Sequence, residues 1–127
     1  MQSKPTDIYI HAILSGDTAA LLPILSKEIV AFSPTSPDAI SDPLMIVFGL
    51  GLVSGIVTDL RMVRTYASDE NWHAAVFEGL IDGQIIQFSD HLHLSEKDLI
   101  DRIEIFIRPA SVADLFYQKM SAKLAGE

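Results

Sequence analysis

Strand-like segments in the second half of the chain constrain the fold more than any other feature. Three apolar runs, Trp72 to Ile81, Gln84 to Leu94 and Leu99 to Arg108, follow one another with only short polar breaks. The dipeptide Asp82-Gly83 between the first two is typical of a two-residue hairpin turn, and such turns join antiparallel strands. We therefore predict an antiparallel meander, which a further strand from Ile56 to Ala67 opens.

Helical patterns flank this meander on both sides. The predicted helices are Pro5 to Ser15, Thr18 to about Ser26 with Pro23 kinking or shortening it, Pro43 to about Gly55, and Ser111 to Leu124. A short strand, Glu28 to Pro34, and an irregular connection separate the second helix from the third. This order predicts an α+β domain, in which the N-terminal helices pack on the concave face of a curved, mostly antiparallel sheet and a helix ends the chain.

Size and charge narrow the classes of protein that fit this pattern. A chain of 127 residues, 49% of them hydrophobic, suits one compact domain spanning residues 1–127. It contains no cysteine, which excludes disulfides, thiolate nucleophiles and cysteine-bound zinc. The net charge of −8, without a cluster of Lys and Arg, argues against nucleic acid as a partner.

Neither a membrane span nor a secretory signal is expected. The longest uncharged run, Pro43 to Thr58, is shorter than the ~20 residues that a membrane-spanning helix needs. The opening MQSKPTDIYIHAILSGD lacks the uninterrupted apolar segment of a secretory signal. We therefore expect a cytoplasmic protein that does not engage a membrane.

The segment QFSDHLHL, residues 87–94, places a carboxylate where a strand should be apolar. Successive strand side chains point to opposite faces, so Asp90 shares its face with Ile86 and Phe88, whereas His91 and His93 lie on the other face. Burying an unpaired charge is costly, and apolar surroundings raise the pKa of a carboxyl group. Asp90 is therefore the first candidate functional residue, as a neutral acid that donates a hydrogen bond.

Several stretches resemble the nuclear-transport-factor-2-like superfamily. IYIHAILSGDTAALLPILSKEIVAFSP is similar to the family's opening of helix, Gly-Asp turn, second helix and short strand ending in proline. AAVFEGLIDG is similar to its central hairpin, and SDHLHL followed by IDRIEIFIRP to its last two strands. The superfamily includes SnoaL-like polyketide cyclases, ketosteroid isomerases, limonene epoxide hydrolase and scytalone dehydratase. The resemblance implies a cone-shaped fold, with a bent sheet around a pocket that helices close.

The resemblance to ketosteroid isomerases implies roles for two residues. Those enzymes pair a tyrosine on the first helix with a protonated aspartic acid on a late strand as an oxyanion hole, and use a second aspartate as base. Tyr9, in the helix before the Gly-Asp turn, and Asp90 occupy the positions of the pair. The base position, which is Asp-Pro in the family, holds Ser33-Pro34 here. A serine cannot transfer a proton between carbons without a base of its own.

Other interpretations of these residues stay open. Asp90 could pair with an arginine (Arg61, Arg64 or Arg102) or cap a backbone amide, and Tyr9 could be a core residue whose hydroxyl reaches water. A Tyr9 hydroxyl within hydrogen-bonding distance of Asp90, or both groups facing one cavity, would support the polar pair. The expected lining of the pocket is Ser33, Phe88, Leu92, Met62 and Phe48.

The H-x-H pair of His91 and His93 could hold a metal ion, but no third ligand is evident. Both histidines fit the outer face of the sheet better. There, together with Arg102 and Glu104, they are expected to lie in the contact of a homodimer, as in relatives. His73 could reach either face, and His11 is expected to be exposed.

Acidic residues elsewhere provide two minor candidates. Asp38 or Asp42 could supply a displaced base from the irregular connection. Asp59 and Arg61 share a strand face and could form a polar site, although an exposed ion pair is the simpler interpretation.

Two functions of different classes follow from these observations. The first is an enzyme of isomerase, cyclase or hydrolase type, in which Tyr9 and Asp90 polarise a carbonyl or enol oxygen of a small apolar molecule. The second is a protein of the same fold without catalysis, which binds a hydrophobic molecule or serves as an oligomerisation module. No motif implies a cofactor or a metal.

Overall fold

The computed structural model describes residues 4–34 and 36–126. Its helices are α1 (Lys4–Ser15), α2 (Pro43–Gly51), the short α3 (Val53–Ile56) and α4 (Ala110–Leu124), and a 3-10 helix, Thr18–Ile24, links α1 to the sheet. None of the helices in these ranges is both long enough and apolar enough to cross a membrane. Gly16, with a φ of 81°, follows α1 in the left-handed conformation that glycine adopts without strain.

The strands form one curved sheet of six members. They are β1 (Leu25–Phe32), β2 (Ala39–Ile40), β3 (Thr58–Ala67), β4 (Trp72–Ile81), β5 (Gln84–Leu94) and β6 (Ile100–Arg108). Their order across the sheet is β2-β1-β6-β5-β4-β3. Neighbours pair antiparallel except β1 and β6, which run parallel. The predicted α+β architecture with its β3–β6 meander is confirmed.

Turns and irregular pairing shape the meander. The β4–β5 hairpin turns at Asp82 and Gly83, whose φ angles of 48° and 77° are those that a type I′ turn requires. The β3–β4 register shifts twice, and Asp59, with a φ of 54°, lies in the first shift. Such bulges bend a strand and increase its twist. The curvature gives the sheet a concave face, which the helices cover.

Two segments near the N-terminus differ from the sequence prediction. The predicted helix from Thr18 to Ser26 is a 3-10 helix that ends at Ile24. Pro23 has no N–H to continue an α-helical ladder, and β1 begins earlier than predicted because Leu25 pairs with Ile100 of β6. The predicted irregular connection contains β2, which pairs with the end of β1.

The apolar helix predicted from Pro43 to Gly55 is divided into α2 and α3. Asp42 caps α2 by accepting a hydrogen bond from the Leu44 N–H over 3.0 Å. The Leu52 N–H bonds back to the Gly49 carbonyl, three residues earlier, so α2 tightens and stops before α3 begins. Gly51 lies at a close contact, where a Cβ would come within 2.8 Å of the Thr18 Oγ1 atom.

Candidate functional site

Asp90 lies in the middle of β5 on the concave face of the sheet. Ala75 of β4 and Ile105 of β6 are its direct neighbours across the sheet. Alternate β5 residues, Ile86 to Leu94, are buried and those between them are half-buried, so the predicted strand faces are confirmed. The Asp90 side chain is almost completely removed from solvent, with 3% of the residue exposed.

A tyrosine from the first helix reaches this carboxyl group. Tyr9 of α1 is fully buried, and its hydroxyl donates a 2.6 Å hydrogen bond to the Asp90 Oδ2 atom. The Asp90 Oδ1 atom is buried and has no hydrogen-bond partner in the described part of the chain. Because a buried oxygen without a partner costs about 1–3 kcal/mol, Oδ1 is the atom at which a ligand would gain most.

Burial determines how both groups ionise. It raises the pKa of Asp90 from 3.8 to about 7, against the opposing effect of the Tyr9 hydrogen bond, which favours the carboxylate. Burial also raises the pKa of Tyr9 well above 10, and the negative charge of Asp90 and their hydrogen bond raise it further. Below about pH 7, Asp90 is therefore a neutral acid beside a neutral tyrosine.

Asp90 also lines a cavity between the sheet and the helices. Its volume is about 130 Å³, close to the ~150 Å³ of a cavity known to hold benzene. The lining is almost entirely apolar, and its polar side chains within the described ranges are Ser33, Asp90 and Tyr117. A mostly apolar cavity with a few convergent polar groups is the usual form of a small-molecule site.

Tyr9 does not belong to the lining of this cavity. Its ring is enclosed in the core, and its hydroxyl points to Asp90. The pair that the sequence predicts therefore forms, but its two members do not face the cavity side by side. Tyr9 orients Asp90 and favours its ionised form, whereas Asp90 is the member that a ligand in the cavity can contact.

Two of the five residues expected to line the pocket do so. Ser33, just after β1, and Phe88, two residues before Asp90, line the cavity. Leu92 is fully buried beyond it, Phe48 is 57% exposed on α2, and Met62 is 37% exposed on the edge strand β3. None of these three belongs to the described lining.

Helices α2 and α4 supply lining residues that sequence reasoning missed. Phe116, Tyr117 and Met120 of α4 line the cavity, as does Gly49 of α2. The apolar stripe of the last helix predicts that Phe116 and Met120 face the protein interior. It does not predict that α4 closes a cavity, since that depends on how the helix crosses the sheet.

The arginines considered as partners of Asp90 bind other groups. Arg61 pairs with Glu78, the Arg64 side chain donates to the Tyr66 hydroxyl, and Arg102 pairs with Glu104. The alternative of an Asp90–Arg pair is therefore wrong. Asp38 and Asp42 are exposed and outside the cavity lining, and Asp59 is exposed in the β3 bulge.

The histidines lie away from the cavity lining. On the outer face, His91 contacts Ser89 at 2.9 Å and His93 contacts Asp101 at 2.7 Å. His73 pairs with Leu92 across the sheet, and His11 is exposed. In residues 4–34 and 36–126, no three His, Asp or Glu side chains lie close enough to hold a metal ion together.

The reactions that this site could support depend on Asp90. The cavity lining, as far as the structure describes it, contains no other Asp or Glu and no His. Asp90 can donate a hydrogen bond when neutral and accept one when ionised. An acid and a separate base, which a proton transfer between two carbons needs, are not both present among these residues.

No family model matches the chain, and no curated protein matches it in sequence. Solved structures do match. An uncharacterized bacterial protein with a cystatin-like fold from Silicibacter pomeroyi has a TM-score of 0.88 and 18% identity, covering 96% of this chain and 86% of the other. A steroid delta-isomerase from Pseudomonas aeruginosa also has a TM-score of 0.88, with 20% identity and coverage of 96% and 90%.

An NTF2-like protein of unknown function from Burkholderia xenovorans has a TM-score of 0.68 and 11% identity, covering 87% of this chain and 89% of the other. At such identities the likeness concerns the fold, which hosts many unrelated chemistries. The chain therefore has the nuclear-transport-factor-2-like, or cystatin-like, fold, as the resemblance in its sequence predicts.

Proposed function

We propose that the protein binds a small, largely apolar molecule in this cavity and polarises its carbonyl or enol oxygen through a hydrogen bond from Asp90. The observation that carries the proposal is the buried Oδ1 atom of Asp90, which has no described partner and belongs to the one carboxyl group in the described, mostly apolar lining. A ligand oxygen placed there would satisfy Oδ1 while the rest of the molecule buries apolar surface.

The Tyr9 contact supports a donor role for Asp90. Because the Tyr9 hydroxyl donates to Oδ2, the proton of the neutral acid belongs on Oδ1, where it is available to the ligand. A neutral acid held in apolar surroundings stabilises negative charge that develops on a carbonyl oxygen. A steroid delta-isomerase has the same fold, and its named activity is compatible with this role.

The reaction class depends on a base. Ser33 lines the cavity at the position where the resemblance places an aspartate, and the described lining offers no substitute. The polarising role therefore suits an isomerase- or cyclase-type reaction only for a ligand that enolises readily. The second candidate is binding without turnover. It is favoured because the described lining contains no second carboxyl group and no imidazole that could act as the base.

Paired ligands test the role of Asp90. Acetophenone carries one acceptor oxygen, and ethylbenzene is an oxygen-free molecule of similar shape. Titration followed by protein NMR at pH 6 should show that the wild-type protein prefers acetophenone about fivefold, the equivalent of a net hydrogen bond of about 1 kcal/mol. The double variant Tyr9→Phe/Asp90→Leu removes both polar partners together, and should lose that preference while still binding ethylbenzene.

The Tyr9→Phe variant is the matched control and should retain the preference. Equal preference in the wild-type protein and the double variant, or no binding of either ligand to the wild-type protein, would contradict the proposal. Exchange of the acetophenone methyl protons in D2O then separates the two candidates. Exchange above the buffer rate supports catalysis, and its absence supports binding alone.

A further inference from the structure

Gly49 lies in the last turn of α2, at a position that nothing in the described protein requires to be glycine. Its φ is not in the left-handed region, and a Cβ added to it would meet no atom within 4 Å. Glycine in a helix interior is less favourable than alanine. The conformational cost of Gly49 is therefore not offset by a turn or by a close contact within the protein.

Two other glycines, Gly51 and Gly79, lie where close packing excludes a Cβ atom. A Cβ at Gly51 would lie 2.8 Å from the Thr18 Oγ1 atom, and a Cβ at Gly79 would lie 2.4 Å from the Val57 Cγ1 atom. These two positions cannot accept a side chain unless a neighbour moves. Gly49 differs from both, because the space beside it is empty.

Gly49 lies on the wall of the cavity. Met45 and Ile46, four and three residues before Gly49 on α2, line the cavity, as Gly49 itself does. Residues three and four positions apart lie on one face of a helix. A side chain at position 49 would therefore project into the volume that the ligand is proposed to fill.

Aromatic residues of the lining indicate the shape of the ligand. Phe32, Phe77, Phe88, Phe116 and Tyr117 line the same cavity, and the ring centroids of Phe88 and Phe116 are 5.2 Å apart in an edge-to-face arrangement. Aromatic walls favour a flat ring. A volume of about 130 Å³ has room for one such ring.

We propose that Gly49 determines the size of the ligand, by leaving room over α2 for a single planar ring whose oxygen reaches Asp90. This inference rests on the proposed function, because it takes the same cavity and the same oxygen contact as given. It adds the class of ligand, a monocyclic unsaturated carbonyl compound or phenol. It also proposes that the absence of a side chain at Gly49 sets the largest ligand that fits.

The substitution Gly49→Ala separates an effect on binding from an effect on stability. Alanine should raise the thermal midpoint of the free protein, since it favours the helix and clashes with nothing. The added methyl group should weaken acetophenone binding by about tenfold or more, the usual effect of one carbon in a fitted apolar pocket. We therefore expect Gly49→Ala to be more stable than the wild-type protein and to bind acetophenone more weakly.

The matched control is Gly55→Ala. A Cβ at Gly55 also meets nothing within 4 Å, but Gly55 does not line the cavity, so acetophenone should bind this variant as tightly as it binds the wild-type protein. Unchanged binding to Gly49→Ala, or equal weakening in both variants, overturns the role of Gly49 and leaves the proposed function standing. Failure of the wild-type protein to bind acetophenone overturns both.

Discussion

The Tyr9 hydroxyl lies 2.6 Å from the Asp90 Oδ2 atom, although the two residues are 81 positions apart in the chain. Their contact joins α1 to the middle of β5 inside the hydrophobic core. It leaves Asp90 Oδ1 as the free oxygen of a carboxyl group on the cavity wall.

The substitution Tyr9→Phe should raise the pKa of Asp90 above about 7, because the Tyr9 hydrogen bond is what lowers it against burial. It should also reduce stability by about 1–3 kcal/mol, since a buried oxygen loses its partner. NMR titration of the protein with 13C-labelled aspartate carboxyl groups measures the first effect, and urea denaturation the second. Tyr66→Phe is the control. Because Tyr66 is 58% exposed, this substitution should change the free energy of unfolding by less than about 0.5 kcal/mol. An unchanged Asp90 pKa in Tyr9→Phe would contradict the assigned contact.

The pH dependence of stability should carry the signature of Asp90. Between its ordinary pKa of 3.8 and its folded pKa of about 7, the folded protein keeps a proton that the unfolded chain has lost. Unfolding then releases a proton, so stability falls as pH rises through this interval and levels off above it. The stability difference between the wild-type protein and Asp90→Asn should therefore fall by roughly 1.4 kcal/mol per pH unit from about pH 4 to 7. Urea denaturation at several pH values measures it, and a constant difference would show that Asp90 does not titrate near 7.

Acetophenone binding should weaken as Asp90 ionises. The ketone can only accept a hydrogen bond, which the neutral acid donates and the carboxylate cannot. We expect the wild-type affinity to fall as pH rises through about 7. The Asp90→Asn variant does not titrate at this position, and its amide can accept from Tyr9 and donate to the ligand, so its affinity should be flat from pH 5 to 8. A wild-type profile as flat as that of Asp90→Asn would mean that the ligand oxygen does not contact Asp90.

A carboxylate introduced at Ser33 should supply the base that the cavity lacks. Ser33 is half-buried and lines the cavity, so Ser33→Asp places a proton acceptor beside a ligand that Asp90 polarises. General base catalysis typically contributes 10²–10⁴-fold. Exchange of the acetophenone methyl protons in D2O should be at least about tenfold faster with Ser33→Asp than with the wild-type protein.

Ser36→Asp is the matched control for this gain of activity. Ser36 is exposed and outside the cavity lining, so its aspartate adds the same charge without reaching the ligand. Combining Ser33→Asp with Asp90→Leu should abolish the acceleration, because the ligand oxygen is then no longer polarised. Equal exchange rates for Ser33→Asp and Ser36→Asp would refute a base position at Ser33.

Several features of the fold follow from local sequence because their causes are local. The β4–β5 hairpin depends on the left-handed conformations of Asp82 and Gly83, which adjacent residues of those types readily adopt. The two faces of β5 depend on the alternation of side chains along a strand, so the burial of Asp90 and the outward position of His91 are predictable from QFSDHLHL. The pairing of Tyr9 with Asp90 is predictable for a different reason, because the sequence resembles proteins that place the same residue types at these positions.

The cavity itself is a property of the folded molecule. Its lining comes from all four helices and from β1 and β2 as well as from the meander, and no local pattern fixes how these elements cross. Apolar character suggested Phe48 and Met62 as lining residues, and the strand face shared with Asp90 suggested Leu92. In the folded protein, packing places Tyr117 and Gly49 on the cavity wall instead. The same packing enclosed Tyr9 behind Asp90, and left one carboxyl oxygen without a described partner. Side-chain chemistry along the chain identifies the candidate acid, and the distances between elements far apart in sequence determine which of its oxygens has a hydrogen-bond partner.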